Sequence, residues 1–224
     1  MPLSYKETSQ PAIEPVSLPQ AKSQLVVESA FTEDDSLIMG LIVAARNYVE
    51  KFMGRSIFNR NMSYYVDQFP LPFIFGSHGP FHGGFAWQNN YNRQIELRVP
   101  KPGLVSVSSI TYLDASMTEQ TLDASTYYVD VNSTPGRIRP TQGNIWPIAN
   151  LYIPNAVTIN YVSGTWGDGV EVNNCPQAIC QAMLLLISYW YKNRDAADPA
   201  PPKAIEMGVE SILSPYKTGT YLWN

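Results

Sequence analysis

Cys175-Pro-Gln-Ala-Ile-Cys-Gln-Ala-Met-Leu-Leu-Leu-Ile-Ser-Tyr-Trp-Tyr-Lys-Asn-Arg194 is the stretch that decides how this chain folds. From Ile179 to Trp190 the only polar side chains are Gln181 and Ser188, so a helix here is apolar nearly all the way round. Asn174 is the expected N-cap, and Pro176 fits the first turn, where a missing N–H costs nothing. A helix without a solvent face must be covered on several sides. The run falls short of the about 20 apolar residues that cross a bilayer. It reads as the spine of a globular fold or as a helix buried between subunits, and nothing in it suggests chemistry.

Working outward, 224 residues suffice for one large domain or two small ones with a sizeable core. Apolar residues make up an ordinary 45%, but charged residues only 15%, against about 25% in typical domains. Fewer charges leave more neutral and aromatic surface, which suits a subunit of an assembly better than a free monomer. A net charge of −4, a pI near 5.2 and the lack of any basic run argue against binding nucleic acid by neutralising phosphates. Cys175 and Cys180 are the two cysteines. Five apart at a helix start, their side chains are expected to point in different directions, without a disulfide. The sparse cysteine fits a reducing compartment. Met-Pro-Leu-Ser-Tyr-Lys-Glu-Thr at the start has no apolar core of signal-peptide length, so a cytoplasm is the expected location.

Residues 1–18 carry Pro2, Pro11 and Pro15 without periodicity and read as an extended arm. Ser17 is placed to cap a short helix through Leu25. Thr32-Glu-Asp-Asp35 is a stop-and-cap signal with acid at a helix start. In the helix that follows, Leu37, Ile38, Leu41, Ile42, Ala45, Tyr48, Val49 and Phe52 share an arc of about 140°. Gly54 ends it. On the opposite face Met39, Gly40, Val43 and Asn47 form a small-residue stripe with Arg46, Glu50 and Lys51 nearby; it is a mild surface or a subunit contact. From Ser56 to Gly164 the pattern is β: residues 62–69, 94–99, 105–113, 127–131 and 157–162 alternate or are rich in β-branched residues. A Pro135-Gly136 turn leads to another short strand at 137–139.

Between the first two strands, residues 71–92 form a long irregular segment bearing Phe73, Phe75, Phe81, Phe85, Trp87 and Tyr91. Loops of this length usually have a job, and aromatic side chains supply contact area at low entropy cost. This loop is expected to touch another subunit. Near the other end, Ala196-Ala-Asp-Pro-Ala-Pro-Pro202 reads as a stiff hinge. Lys203–Leu213 reads as a last helix stopped by Pro215. The tail Tyr216-Lys-Thr-Gly-Thr-Tyr-Leu-Trp-Asn224 is too aromatic to suit water.

Signs of chemistry are weak. His78 and His82, the only histidines, have a zinc-like H-x3-H spacing, but they sit among glycines and Pro80, which no helix accommodates. No Gly-rich phosphate loop opens a helix, since Gly164-Thr-Trp-Gly-Asp-Gly169 follows a strand and leads to Val170-Glu-Val. No serine has a nucleophile motif around it. Asp34-Asp35 reads as helix capping. Neither an enzyme nor a metal or cofactor is expected.

The ordered combination of segments carries a family resemblance. Pro-x-Ser-Leu-x-x-Ala-Lys-x-x-Leu at 15–25 precedes Asp-Asp-x-Leu-Ile-x-x-Leu-Ile-x-Ala-Ala-Arg-x-Tyr-Val-Glu-x-x-x-Gly-Arg at 34–55. Pro-Gly-Arg-Ile-x-Pro at 135–140, Trp146-Pro147 and Val157-Thr-Ile-x-Tyr-x-x-Gly follow. Pro176–Arg194 and Gly208-Val-Glu-Ser-Ile-Leu-x-Pro-Tyr close the series. Together they resemble the head–tail connector proteins of tailed bacteriophages, also called adaptor or head-completion proteins. Loop 71–92 and the residues after Tyr216 lie outside the pattern.

The fold expected is α+β: a helical connector core of two main helices plus short ones (19–55 and 170–215), with an inserted antiparallel β-domain (56–169). The resemblance implies a structural protein of the virion neck, assembled in the bacterial host cytoplasm. It implies a homo-oligomeric ring, twelvefold, under the portal protein, joined to a tail or tail-completion protein. Genomic DNA passes through such a ring without specific binding, which mild acidity suits. No membrane contact is implied. Met39, Gly40, Val43 and Asn47 are the candidate subunit contact, and Tyr216, Tyr221, Leu222 and Trp223 the candidate portal contact. Two alternatives stay open: a tail-completion protein, or a glycan- or peptide-binding module using the aromatic loop.

Overall fold

Alternating β-branched and aromatic residues build two antiparallel sheets. Among the residues described by this computed structural model (4–70, 95–150, 152–193 and 203–218), eight strands occur. They are β1 (Ser4–Glu7), β2 (Arg60–Val66), β3 (Leu97–Arg98), β4 (Leu104–Leu113), β5 (Glu119–Thr121), β6 (Tyr127–Asp130), β7 (Arg137–Pro140) and β8 (Val157–Ser163). One sheet has the order β1-β2-β8-β4-β5 and the other β3-β7-β6. Tyr5 lies opposite Tyr64, Ile110 opposite Ile159 and Leu97 opposite Ile138. Along β8, Val157, Ile159 and Tyr161 are buried while the residues between them are half-buried, so one face of that strand enters the core. They share a core with Met62, Leu97, Val99, Ile110 and Ile138. Phe69 stacks on Trp146 at 5.1 Å and meets Tyr112 edge-on at 5.7 Å, while the Trp146 indole N–H donates to the Ile95 carbonyl at 2.7 Å.

The chain divides into two units, Met1–Ser9 with Asn61–Ser163, and Gln10–Arg60 with Gly164–Asn224. The stretch expected to be one extended arm, residues 1–18, is therefore split: residues 4–7 are an edge strand, and those from Gln10 onward belong to the helical unit.

The helical unit comprises α1 (Leu18–Leu25), α2 (Asp35–Met53), α3 (Gln177–Lys192) and α4 (Lys203–Leu213), followed by a 3₁₀ turn, Ser214–Tyr216. Ser17 and Gln20 form a reciprocal capping box at the start of α1. α3 is the hub, with α1, α2 and α4 all packing on it. Ile179, Ala182, Met183, Leu186 and Ile187 are fully buried, joined by Ile38, Ile42, Ala45 and Val49 of α2 and Val209 and Leu213 of α4. The apolar helix finds its cover within its own unit.

Three expectations need correction. Asn174 does not cap α3: the helix begins two residues after Cys175, with Pro176 at the cap position and no side-chain cap. Asn173 works there instead, accepting from the Cys175 N–H at 3.1 Å and donating to the Pro15 carbonyl at 3.1 Å. Because Cys175 lies outside the helix, it does not diverge from Cys180. The two thiols are free: that of Cys180 donates to the Pro15 and Cys175 carbonyls, at 3.6 and 4.0 Å, and its nearness, with burial, pushes the Cys175 thiol up. Finally, Asp34 holds the N-cap position of α2 without capping it. Its carboxylate accepts from the Tyr191 hydroxyl at 2.5 Å, and Asp35 pairs with Lys22 at 2.5 Å.

Candidate interaction surfaces

α2 presents two contrasting sides. Arg46 and Glu50, expected near the surface stripe, are buried at 2% and 5% exposure. The Glu50 carboxylate binds Arg46, Arg60 and the Ile57 N–H, the last at 2.8 Å. Arg46 also reaches Glu14 at 2.7 Å and Gln10 at 3.2 Å, tying the segment before α1 to α2. This network is internal scaffolding, because burying these charges requires partners. On the other side Met39, Gly40, Val43 and Asn47 are all exposed, and a Cβ added at Gly40 would meet nothing within 4 Å. This stripe has no partner within the described residues.

At the C-terminal end of α2 the stripe runs into an open cleft of about 440 Å³ lined by Tyr48, Lys51, Phe52 and Lys217. The Lys217 ammonium sits 4.8 Å from the Phe52 ring centre. Trp190 packs edge-on against Tyr48 at 6.2 Å. The segment bearing Lys217 is held firmly. Tyr216 is half-buried, edge-on to Trp166 at 5.9 Å, and the Thr218 N–H and hydroxyl both donate to the Met53 carbonyl, at 2.9 and 2.8 Å. Within the segment read from sequence as the tail, the backbone is tied down as far as Thr218. Tyr221, Leu222 and Trp223 lie outside the described residues. So do Phe73, Phe75, Phe81, Phe85, Trp87, Tyr91, His78 and His82.

At the N-terminal end of α2, the α1–α2 loop stands proud. Val26 is 91% exposed and left-handed (φ 59°, ψ 37°), a conformation that crowds a β-branched side chain. Residues 28–33 are exposed throughout, with Phe31 at 40%. Beneath them the buried Lys22 ammonium donates to the Ser29 and Phe31 carbonyls, at 3.3 and 2.7 Å, while pairing with Asp35.

The β unit carries a second apolar display in Ile145, Ile148 and Tyr152, exposed at 81%, 73% and 96% around the buried Trp146. Nothing in the periodicity marked it, because it lies between strands. Nearby, Glu96 is buried among Arg98, Arg137 and Arg139. Burial works to raise its pKa, but hydrogen bonds from Arg139 and Arg98 and their charges outweigh it and hold the carboxyl below its ordinary value. Among the described residues no group of three or more His, Cys, Asp or Glu is placed to hold a metal ion. No helix there is long and apolar enough to cross a membrane. The surfaces on display are apolar and weakly charged, suited to protein contact.

No protein-family model matches the chain, and no curated protein does. Solved structures do match, end to end. A chain in the neck of an empty gene transfer agent (GTA) particle, computed with C6 symmetry, superposes with a TM-score of 0.67 at 16% identity, covering 99% of this chain and 98% of that one. A chain in the virion of the native GTA particle gives 0.66 at 16% identity, covering 98% of each. A chain from the neck of the native particle, computed with C12 symmetry, gives 0.65 at 16% identity over 99% and 98%. At this identity the likeness establishes the fold: this mixed α+β architecture is shared with chains of a phage-like particle.

Proposed function

We propose that this protein is a structural subunit of the neck of a tailed, phage-like particle: a head–tail connector that forms a homo-oligomeric ring under the portal, joins head to tail and lines the DNA channel. The observation that carries this reading is the end-to-end superposition on neck chains, which leaves no substantial part of either chain unmatched. The C6 and C12 symmetries of those necks support a ring, and twelve copies is the number we assign. The acidic pI suits a channel past which DNA slides. In this reading the protein assembles in the host cytoplasm, catalyses nothing, and takes the exposed α2 stripe as its subunit contact. Tyr221, Leu222 and Trp223 dock on the portal.

Gold-labelled antibody against the protein should decorate particles at the head–tail junction; label along the tail, or none on particles, would overturn the assignment. Gly40→Glu and Val43→Glu should leave the fold intact, since both sites are open, yet block rings by placing an unpaired charge in the contact. Normal rings from both variants would show that the stripe faces water.

A further inference from the structure

Resting on the ring reading above, we infer that neighbouring copies join head to tail, the α1–α2 loop of one copy seating in the Tyr48/Lys51/Phe52/Lys217 cleft of the next. Three observations converge on this pairing. The loop is built to project: its side chains face water while buried Lys22 pins its backbone from below, so little freedom remains to be lost on docking. Its tip is apolar and acidic, combining Val26 and Phe31 with Glu28 and Glu33, neither of which has an ion-pair partner among the described residues. The cleft is the complement, combining two aromatic rings with Lys51 and Lys217, which likewise lack carboxylate partners there. Two unpaired acids thus meet two unpaired lysines, and about 440 Å³ of open space receives the Phe31 ring.

The two surfaces lie at opposite ends of one 19-residue helix, so a copy cannot satisfy its own cleft with its own loop. A contact between two different patches is heterologous, and it closes into a ring when the rotation per copy divides a full turn. The left-handed Val26 fits the same picture. Glycine is the unstrained choice at that cap, and valine there adds apolar area at the tip while adding nothing to the core.

Charge reversal with restoration tests the pairing. Glu28→Lys with Glu33→Lys, and separately Lys51→Glu with Lys217→Glu, should each weaken self-association in sedimentation roughly tenfold or more and abolish rings in negative stain. All four changes in one chain should restore both. Val26→Gly should weaken association while leaving the melting temperature unchanged or higher, an outcome opposite to that of a purely structural residue. Wild-type rings alongside unaffected reversal variants would overturn this contact and leave the ring reading standing. Intact rings that no longer bind the portal would also overturn it, placing the portal in the cleft. A wild-type chain that forms no ring, alone or in particles, would overturn both.

Discussion

At Glu50 one carboxylate holds two buried guanidiniums and the Ile57 N–H, so its removal takes a buried anionic partner from both Arg46 and Arg60, with Glu14 still beside Arg46. Glu50→Ala is expected to lower stability by about 3–5 kcal/mol in urea unfolding. Glu96 offers a pH test. Its folded-state pKa lies below the ordinary 4.5, so the folded chain binds fewer protons there than the unfolded one. The stability this contributes is complete above pH 4.5 and is lost as pH falls through the lowered value. Melting temperature should therefore fall on acidification below about pH 5, less steeply in Glu96→Gln. Two glycines should behave in opposite ways. A Cβ at Gly164 would lie 2.4 Å from the Asn59 amide nitrogen and 2.6 Å from its Cα, backbone that cannot step aside, whereas one at Gly40 meets open space. Gly164→Ala should lose about 1–3 kcal/mol. Gly40→Ala should gain about 0.5–1 kcal/mol from helix propensity. Thermal unfolding of the pair measures both signs at once. None of these networks was legible in the sequence: Arg46 and Glu50 look like any charged helix residues until Glu14 and Arg60 arrive from elsewhere in the chain.

At the scale of elements, the helices were readable because their apolar periods are long. The turn of α2 that buries Ile38, Ile42, Ala45 and Val49 follows directly from spacing, as does the central place of α3, although Leu184, Leu185 and Trp190 are only half-buried. β4 and β8 were equally plain. β1 and β5 were missed because their residues face mostly solvent and show no alternation; their strand character comes from the neighbours they pair with, β2 and β4. The β5 hairpin is set instead by Asp114, whose side chain accepts from the Thr118, Ser116 and Gln120 amides. The thiol pair was misread for a similar local reason, since α3 begins two residues later than expected and leaves Cys175 outside the helix.

For the whole molecule, the anchoring of residues 216–218 sets where truncation should matter. Ending the chain after Thr218 keeps the Trp166–Tyr216 contact and the bonds to Met53, so melting should be unchanged while binding to portal rings in a pull-down is lost. Ending it before Tyr216 should lower the melting temperature by several degrees, since about 1 kcal/mol moves the midpoint of a chain this size by about 2–4 °C. If the chain ended after Thr218 still binds portal and only the one ended before Tyr216 does not, the contact does not lie in Tyr221, Leu222 and Trp223. The resemblance in segment order pointed to the class of particle because order survives when identity has fallen to 16%. It said nothing of the α1–α2 loop, whose meaning depends on which residues stand out from the surface. One feature of the fold also governs how the protein is made. β1 emerges before β2 and must wait for it, and β2 for β8, while α1 and α2 stay uncovered until α3 and α4 emerge. On a ribosome the β unit can close only once Ser163 is out, and the helical unit only once α3 and α4 follow, so α1 and α2 keep apolar faces exposed while the whole β unit is being made, which makes the nascent protein a natural client for chaperones.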